Sequence, residues 1–582
     1  MKHLWRSPPA ARRARAGVMA ALGLLLFGAL NGATPALAQE AAAPKAAGTL
    51  GQSAAGAPRM VEMSAMPQMS PLEAAVAKAP PPPRGALNAT EYLAAKEKAA
   101  KTSIARPLGA RLGPIGDPPV QRVGRETPSA TTVFAGQSEQ GGVAPSDMAL
   151  AVSQTWVVQV VNSTIAVYDK AGNLQAGYPK ALGPFVGGSG DNGDPRAYYD
   201  WSWNRFVVAV DDFTNGIMYI ATSATSDPRG AWHVYSFNPW GAANCRAAGS
   251  LCNDFPMVGF DDTTIYLSMN IFPGTGGYSA WMLLLPKSTM YNGGGFGYRF
   301  WNNLTFNGVL QDSIQPVTLL TGNERPRAGF AVNSRDNFAN GQCTTACNGV
   351  VVWAFSNNLD LSAPFPELSA VLVPTAFNYT LPAGGNEPGC AHCVDTGDPR
   401  ISATPTYHDG KITAALATAG FDAQYHVYWF QIAPTLNDND ARCTGAFLNR
   451  CPQVTSATLW NEDCFFCGGQ GASGGSYYAA LMPDIGGDVT MEYTYSDNNF
   501  SPESAYVSRR VTQTANTMHD SGFVMCGSSV NWTGRWGDYA ATAGDITLPG
   551  QNYQWFSGDN VLASGNWGTC IGKNGFTSVI QP

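Results

Sequence analysis

From about residue 131 onward, short apolar, β-branched and aromatic runs alternate with Gly, Asn, Asp and Pro clusters. The pattern is plainest from Gly193 to Asp212, which reads GDPRAYYDWSWNRFVVAVDD. It predicts a strand at Ala197–Tyr199, a turn over Trp201–Asn204 and a second strand at Arg205–Val210. Gly216–Ser223 and Trp232–Phe237 supply two further strands, so the unit has four. The outline returns at Asp254 (DFPMVGFDDTTIYLSMN), Arg325 (RPRAGFAVN), Asp398 (DPRISATPTYHDGKITAALAT) and Arg535 (RWGDYAATAGD, then YQWFSGDN). Looser copies begin at Pro145 (PSDMALAVSQTWVVQVVN) and Tyr477 (YYAALMPDIGGDVTMEYTYS). The spacing is roughly 50–80 residues, longer than the ~40–50 of the familiar blade repeats. A strand pair cannot bury both faces alone, so the copies must pack on one another. An all-β propeller of about seven blades over residues 131–582 is therefore expected. A pair of β-sandwiches or a β-solenoid is the other architecture, and a solenoid prefers shorter, more regular repeats. Thr131–Phe134 precedes the first unit and is expected to complete the last one, tying the chain ends together and removing exposed edges.

The first 130 residues have a different texture. Lys2, Arg6, Arg12, Arg13 and Arg15 precede an apolar run, Val18–Leu30, and Ala36-Leu37-Ala38 stands before Gln39. This predicts a signal peptide over residues 1–38. No later segment is long and apolar enough for a transmembrane helix. Residues 39–130 are Ala/Pro-rich, with four prolines at Pro80–Pro83, and read as a flexible, disordered spacer with one short helix over Thr90–Lys101. The formal charge is −7, but the first 130 residues carry 16 basic and 7 acidic side chains and the remainder 19 and 35. An acidic body repels phosphate backbones, which excludes nucleic acid as the natural partner. The chain is expected to be secreted or periplasmic.

All 12 cysteines lie between Cys245 and Cys570. An even set in an exported chain reads as disulfides. The neighbour pairs are Cys245/Cys252, Cys343/Cys347, Cys390/Cys393, Cys443/Cys451 and Cys464/Cys467, leaving Cys526 for Cys570. The two Cys-x-x-Cys pairs also have zinc-ribbon spacing, which export disfavours.

The DPR…YD…RFVV stretch, the DFP…GFD…IYLSMN stretch and Arg535-Trp536-Gly537-Asp538-Tyr539 together resemble exported bacterial β-propeller proteins, loosely related to sialidase-like repeat proteins. The resemblance covers residues 140–560 and implies the fold. The chain lacks the Ser-x-Asp-x-Gly-x-x-Trp turns of sialidases, so no sialidase catalytic residue is carried over.

In a propeller the first strand of each blade lines the central channel. The openings would bring Asp194, Arg196, Arg327, Asp398, Arg400, Arg535 and Asp538 together, with Asp254 at the equivalent point of its blade. Such a funnel suits carbohydrate. Arg196, Arg327, Arg400, Arg535 and Trp536 would contact substrate, and Asp194, Asp398 and Asp538 would do acid/base work as in a glycoside hydrolase. A polysaccharide lyase would instead use His408 or His519 as base beside one of these arginines. Asp191-Asn192-Gly193-Asp194 offers hard oxygens for calcium through Asp191 and Asp194. The structural alternative for the same residues is a ring of ion pairs that fixes blade orientation. The corresponding alternative function is a non-catalytic envelope or adhesion scaffold that binds protein through the propeller face.

Overall fold

The computed structural model describes residues 46–69, 89–99, 101 and 127–576, apart from 141, 244, 246–251, 273–277, 322–323, 336–346, 357, 360–366, 438–451, 468–473, 519–521, 533 and 549–550. The signal-peptide stretch, Pro80–Pro83, His519, Cys343, Cys443 and Cys451 lie outside them.

Residues 149–181 form an antiparallel meander of four strands, Ala149–Val152, Trp156–Val161, Thr164–Asp169 and Lys180–Ala181. The next runs Asn192–Asp200, Arg205–Asp212, Ile217–Ser223 and Ala231–Phe237. Cys252–Phe260, Thr264–Phe272, Ser279–Pro286 and Phe296–Phe306 follow. Then come Gln315–Pro316, Gly329–Ser334, Val350–Ser356 and Glu367–Val373. Thr406–His408, Lys411–Ala419, Tyr425–Asn437 and Gln453–Phe465 make another meander, and Gly474–Pro483, Val489–Asp497, Glu503–Arg509 and Phe523–Cys526 the one after it. The last is Ala541–Leu548, Gln551–Val561 and Trp567–Asn574, whose fourth strand is Thr132–Ser138 from the beginning of the repeat region. The first strand of each meander lies beside the first strand of the next, except after Gln315–Pro316, where Thr318–Leu319 makes the link by pairing parallel with both Cys252–Phe260 and Thr406–His408, and Ala541–Leu548 returns to Ala149–Val152. Antiparallel meanders around a closed ring of inner strands are a β-propeller. The strand Thr132–Ser138 closes the ring, as the sequence predicts.

The core sits between meanders rather than inside them. Phe206, Val208 and Val210 pack into the cluster shared with the 149–181 meander, whereas Val207 and Ala209 pack into the cluster shared with 252–306. The alternation continues at Val350, Val352 and Ala354 against Val351, Trp353 and Phe355, which enter different clusters. A strand with apolar residues on both faces needs a neighbour on each side, and the ring supplies both.

The spacer expectation is corrected over two segments. Ala46–Ala55 is a strand paired with Phe296–Phe306, and Arg59–Glu62 is paired with Ala231–Phe237, so each extends the outer edge of a meander. The Ala/Gly/Ser composition of Ala46–Ala55 reads as linker, yet small residues are what the place requires. A Cβ on Gly51 would stand 2.2 Å from the Phe300 ring. The helix is present at Ala89–Ala99. It carries Lys96 and Lys98 in its last turn, where they oppose the negative end of the helix dipole.

Among the described cysteines, Cys245–Cys252, Cys390–Cys393, Cys464–Cys467 and Cys526–Cys570 are disulfides, as paired from the sequence. The last joins the outer strand of the 474–526 meander to its neighbour Trp567–Asn574. Cys347 stands apart from these four bridges. It is disulfide-bonded and buried, but Cys343, expected from the sequence to be its partner, lies outside the described residues, so the Cys343/Cys347 pairing is not among the bridges seen. Cys347 itself is part of the core. Its backbone amide and carbonyl exchange two 2.7 Å hydrogen bonds with Tyr379, and its side chain enters the core cluster around Val350 and Tyr428.

Candidate functional site

Several inner strands open on a distortion. The pairing register slips between Gly193 and Arg196, between Asp254 and Met257 and between Tyr477 and Ala480. Asp194, Phe255 and Tyr478 stand in these bulges with φ of +45°, +56° and +49°. Asp147 and Ser313, at the matching place before their strands, have φ of +40° and +47°. A bulge re-aims its residue, and here it turns polar and aromatic side chains towards the hub.

A polar residue on the second strand of one meander caps the bulge of the next. Asn162 Oδ1 accepts from the Asp194 amide at 2.8 Å, and Asn270 Oδ1 from the Ser313 amide at 2.9 Å. Asn253 Nδ2 donates to Asp211 Oδ1 at 2.6 Å. Where the ring closes, the Asp538 amide donates to Asp147 Oδ1 at 2.8 Å and Ser146 Oγ to Asp559 Oδ2 at 2.6 Å. The sequence reading did not find this capping, because its donors and acceptors lie on different repeats.

The openings converge around two aromatic rings. Arg196 lies over Tyr539, with its guanidinium carbon 3.5 Å from the ring centroid, and 5.3 Å from that of Phe255. Arg400 lies 4.8 Å from the Phe255 centroid. The two rings meet edge to face at 6.3 Å. Arg196 Nε donates to the Pro256 carbonyl at 2.9 Å and Nη1 to that of Ser402 at 3.1 Å, while the Tyr539 hydroxyl donates to the Pro195 carbonyl at 3.0 Å. Arg400 grips Asp398 with two bonds, 2.8 and 2.6 Å, and Arg535 is bonded to Asp538.

The hub is rich in acid. Burial pushes the Asp194 carboxyl well above the ordinary carboxylate range, and Asp147, Asp254, Asp538 and Asp211 push it further. Asp538 is raised to about 7 by burial. Arg535 opposes that rise, and Asp147 and Asp395 add to it. Burial alone would lower the arginines, but Asp398, Asp312 and Asp538 hold Arg400 above its usual value, and Asp538 and Asp147 do so for Arg535. Among the described residues, no group of three or more His, Cys, Asp or Glu side chains is placed to hold a metal ion.

Exposure separates two layers. Asp194 and Arg196 are 6% and 3% exposed, and Tyr539 is 2%. The side chains of Arg400, Arg535 and Asp538 keep 17%, 22% and 14%, so these are the hub groups a solute can reach. Along the channel, alanines and methionines such as Ala197, Ala403, Ala480 and Met482 leave a cavity of about 30 Å³, beside which Arg196 lies. That is room for a water or two, not for a sugar ring.

The structure thus brings together Asp194, Arg196, Asp398, Arg400, Arg535 and Asp538. Other predicted residues stand elsewhere. Arg327 precedes Gly329–Ser334, the second strand of its meander, because the true inner strand there is the very short Gln315–Pro316. Its hub acid is Asp312, within Gln311-Asp312-Ser313, a signal hidden by the brevity of that strand. His408 ends its inner strand rather than opening it. It bonds Glu324 Oε1 at 2.7 Å and the Ile485 carbonyl at 3.1 Å, so it forms no pair with a hub arginine. Trp536 is 2% exposed and packs on Trp532 at 5.4 Å, which removes it as a stacking surface. Asp395, Tyr478 and Asp147 are hub groups that the sequence reading did not single out.

No family model matches the chain, and no curated protein matches it. Among solved structures, the chain is similar to a subtype N10 neuraminidase-like protein of A/little yellow-shouldered bat/Guatemala/060/2010 (10% identity, 66% of this chain and 99% of that one, TM-score 0.32). It is also similar to an α-L-arabinofuranosidase from Podospora anserina in complex with cellotriose (10% identity, 82% and 97%, TM-score 0.27). A third is an exo-β-1,3-galactanase from Clostridium thermocellum (11% identity, 67% and 82%, TM-score 0.26). Likeness at this level leaves strand pairing as the ground for the architecture.

Proposed function

We propose that this chain is an exported, seven-bladed β-propeller that binds carbohydrate at its hub and cleaves it by glycoside hydrolysis, with Asp538 as the acid/base group. The observation that carries the reading is Asp538 itself. It is a reachable carboxyl raised to about 7, held by Arg535 and close enough to Arg400 to act on it electrostatically. A carboxyl in that range is divided between acid and base at neutral pH, which proton transfer to a glycosidic oxygen requires. Arg400 and Arg535 would bind sugar hydroxyls or carboxylates. Export follows from the leader and agrees with the disulfides.

The test is a glycan array with a reducing-sugar release assay on plant and bacterial polysaccharides, with and without a calcium chelator. Release by the wild type should fall at least about a hundredfold in Asp538→Asn with binding retained, and Arg400→Ala should lose binding. Chelation that leaves both unchanged removes the calcium expected from the sequence at Asp191 and Asp194. One observation favours the scaffold reading: the hub is closely filled and its channel holds about 30 Å³. Neither binding nor release by the wild type would make the scaffold the function.

A further inference from the structure

The Ala89–Ala99 helix reaches the hub's rim. Its Lys96 is 7% exposed. Lys96 Nζ donates to Thr396 Oγ1 at 2.9 Å and to the Gly397 carbonyl, and lies 3.8 Å from Asp395 Oδ1. The receiving loop is shaped for a donor. The Thr396 hydroxyl gives its own proton to the Ala383 carbonyl at 2.6 Å, so towards Lys96 it can only accept. Gly397 has φ of +70°, and a Cβ there would stand 2.8 Å from the Tyr478 ring, so the turn that presents its carbonyl requires glycine. The Gly397 amide bonds Asp395 Oδ1 at 3.1 Å, which holds that carboxylate in place.

We propose that the loop Asp395–Gly397 is a binding site for a primary ammonium group, and that the Ala89–Ala99 helix holds the hub closed by filling this site with Lys96. The acid excess of the hub provides the reason. Asp395 acts electrostatically on both Arg535 and Asp538, so the loop and the reachable hub pair share one field, and a cation is the ligand that field favours. Burial lowers Lys96 to about 8 while Asp395 and Asp398 raise it, so it remains an ammonium at neutral pH. A competing ligand must bring its own primary amine. If the hub takes carbohydrate, which this step alone assumes, the sugar is one with free amino groups.

The experiment is chemical rescue in the full chain. Lys96→Ala should speed hydrogen exchange over 395–398 by about tenfold or more, and should raise the rate at which phenylglyoxal labels Arg400 and Arg535, read by mass spectrometry. Butylammonium should then restore the slow exchange saturably, whereas tetramethylammonium, which has no N–H, and butanol, which has no charge, should not. Lys96→Arg controls for helix docking and should keep part of the protection. Unchanged exchange in Lys96→Ala, or equal rescue by all three probes, overturns the ammonium site. Unchanged arginine labelling overturns the closure. A chain that passes these tests and binds no glycan retains the ammonium site and loses the carbohydrate reading.

Discussion

Replacing Asp538 by Asn tests the electrostatics of the hub directly. The Asp538 carboxyl, 14% exposed, is raised from 3.8 to about 7. A carboxyl raised on folding binds its proton more tightly in the folded chain. Its contribution to stability is complete below about pH 4 and is lost as pH rises through about 7. Taking 3.8 for the unfolded chain and 7 for the folded one, linkage gives a loss of about 2–3 kcal/mol between pH 5 and pH 8. Asparagine resembles the protonated acid in shape but does not titrate. Equilibrium urea unfolding of wild type and Asp538→Asn at both pH values should show the wild type losing about 2–3 kcal/mol more over the interval. Asp463, Asp484 and Glu503, also raised to about 7, titrate in both proteins and cancel in the difference. Asp194 does not cancel: Asp538 raises it, so the substitution relaxes it in the same sense. A pH dependence identical in the two proteins would refute the claim that Asp538 is protonated in the folded hub at pH 5 and ionised at pH 8.

Four further outcomes follow from the packing and the disulfides. Gln159 is fully buried where the ring closes, accepting from the Gln137 amide at 2.8 Å and donating to Ser557 and Thr569 at 2.9 Å, so Gln159→Leu should cost about 2–3 kcal/mol in urea unfolding. Replacing Cys526 and Cys570 together by Ser removes a link with a sequence separation of 44, and chain entropy sets its loss at about 4 kcal/mol. The same change at Cys390 and Cys393, with a separation of 3, should cost about half that by thermal unfolding. Gly51→Val should force the Phe300 ring aside and speed hydrogen exchange over 46–55 while leaving 206–210 unchanged, because Ala46–Ala55 lies on an outer edge.

The blade pattern was legible because most inner and middle strands are short runs of apolar residues separated by turns, as at Arg205–Asp212. It was legible even where both faces are apolar, since β-branched residues recur in runs too short for helices. The hub was legible in part. Asp-Pro-Arg at 194 and 398 and Arg-Trp-Gly-Asp at 535 mark strand openings, and the structure brings them together. Arg327 misled because a two-residue inner strand, Gln315–Pro316, carries almost no periodicity, so the stronger run after it looked like the opening. The strand Ala46–Ala55 was illegible for the opposite reason. Its pairing is dictated by the aromatic surface of Phe296–Phe306, some 250 residues away, and its own residues are those of a linker. Interblade caps such as Asn162 to Asp194 join residues whose relation exists only once the ring closes.

The same bulges that aim the acids at the hub also bury them, and this restricts where chemistry can occur. Asp194 and Arg196 are committed: the carboxyl of one is buried and held well above the ordinary carboxylate value, and the other is stacked on Tyr539 and bonded to two carbonyls. They fit the structural reading, in which polar openings fix the blades. Arg400, Arg535 and Asp538 keep solvent contact, and the Ala89–Ala99 helix lies at the loop beside them. Asp395 connects that loop to Asp538 electrostatically. Placing or removing an ammonium beside Asp395 therefore changes the field at Asp538, the hub carboxyl raised to about 7. Loss of the Lys96 charge should raise Asp538 further, since an opposing cation is removed. In Lys96→Ala the loss of stability between pH 5 and pH 8 should extend to higher pH than in the wild type. A midpoint unmoved by that substitution would separate the helix from the hub electrostatically, and the rim and the hub would then be independent devices.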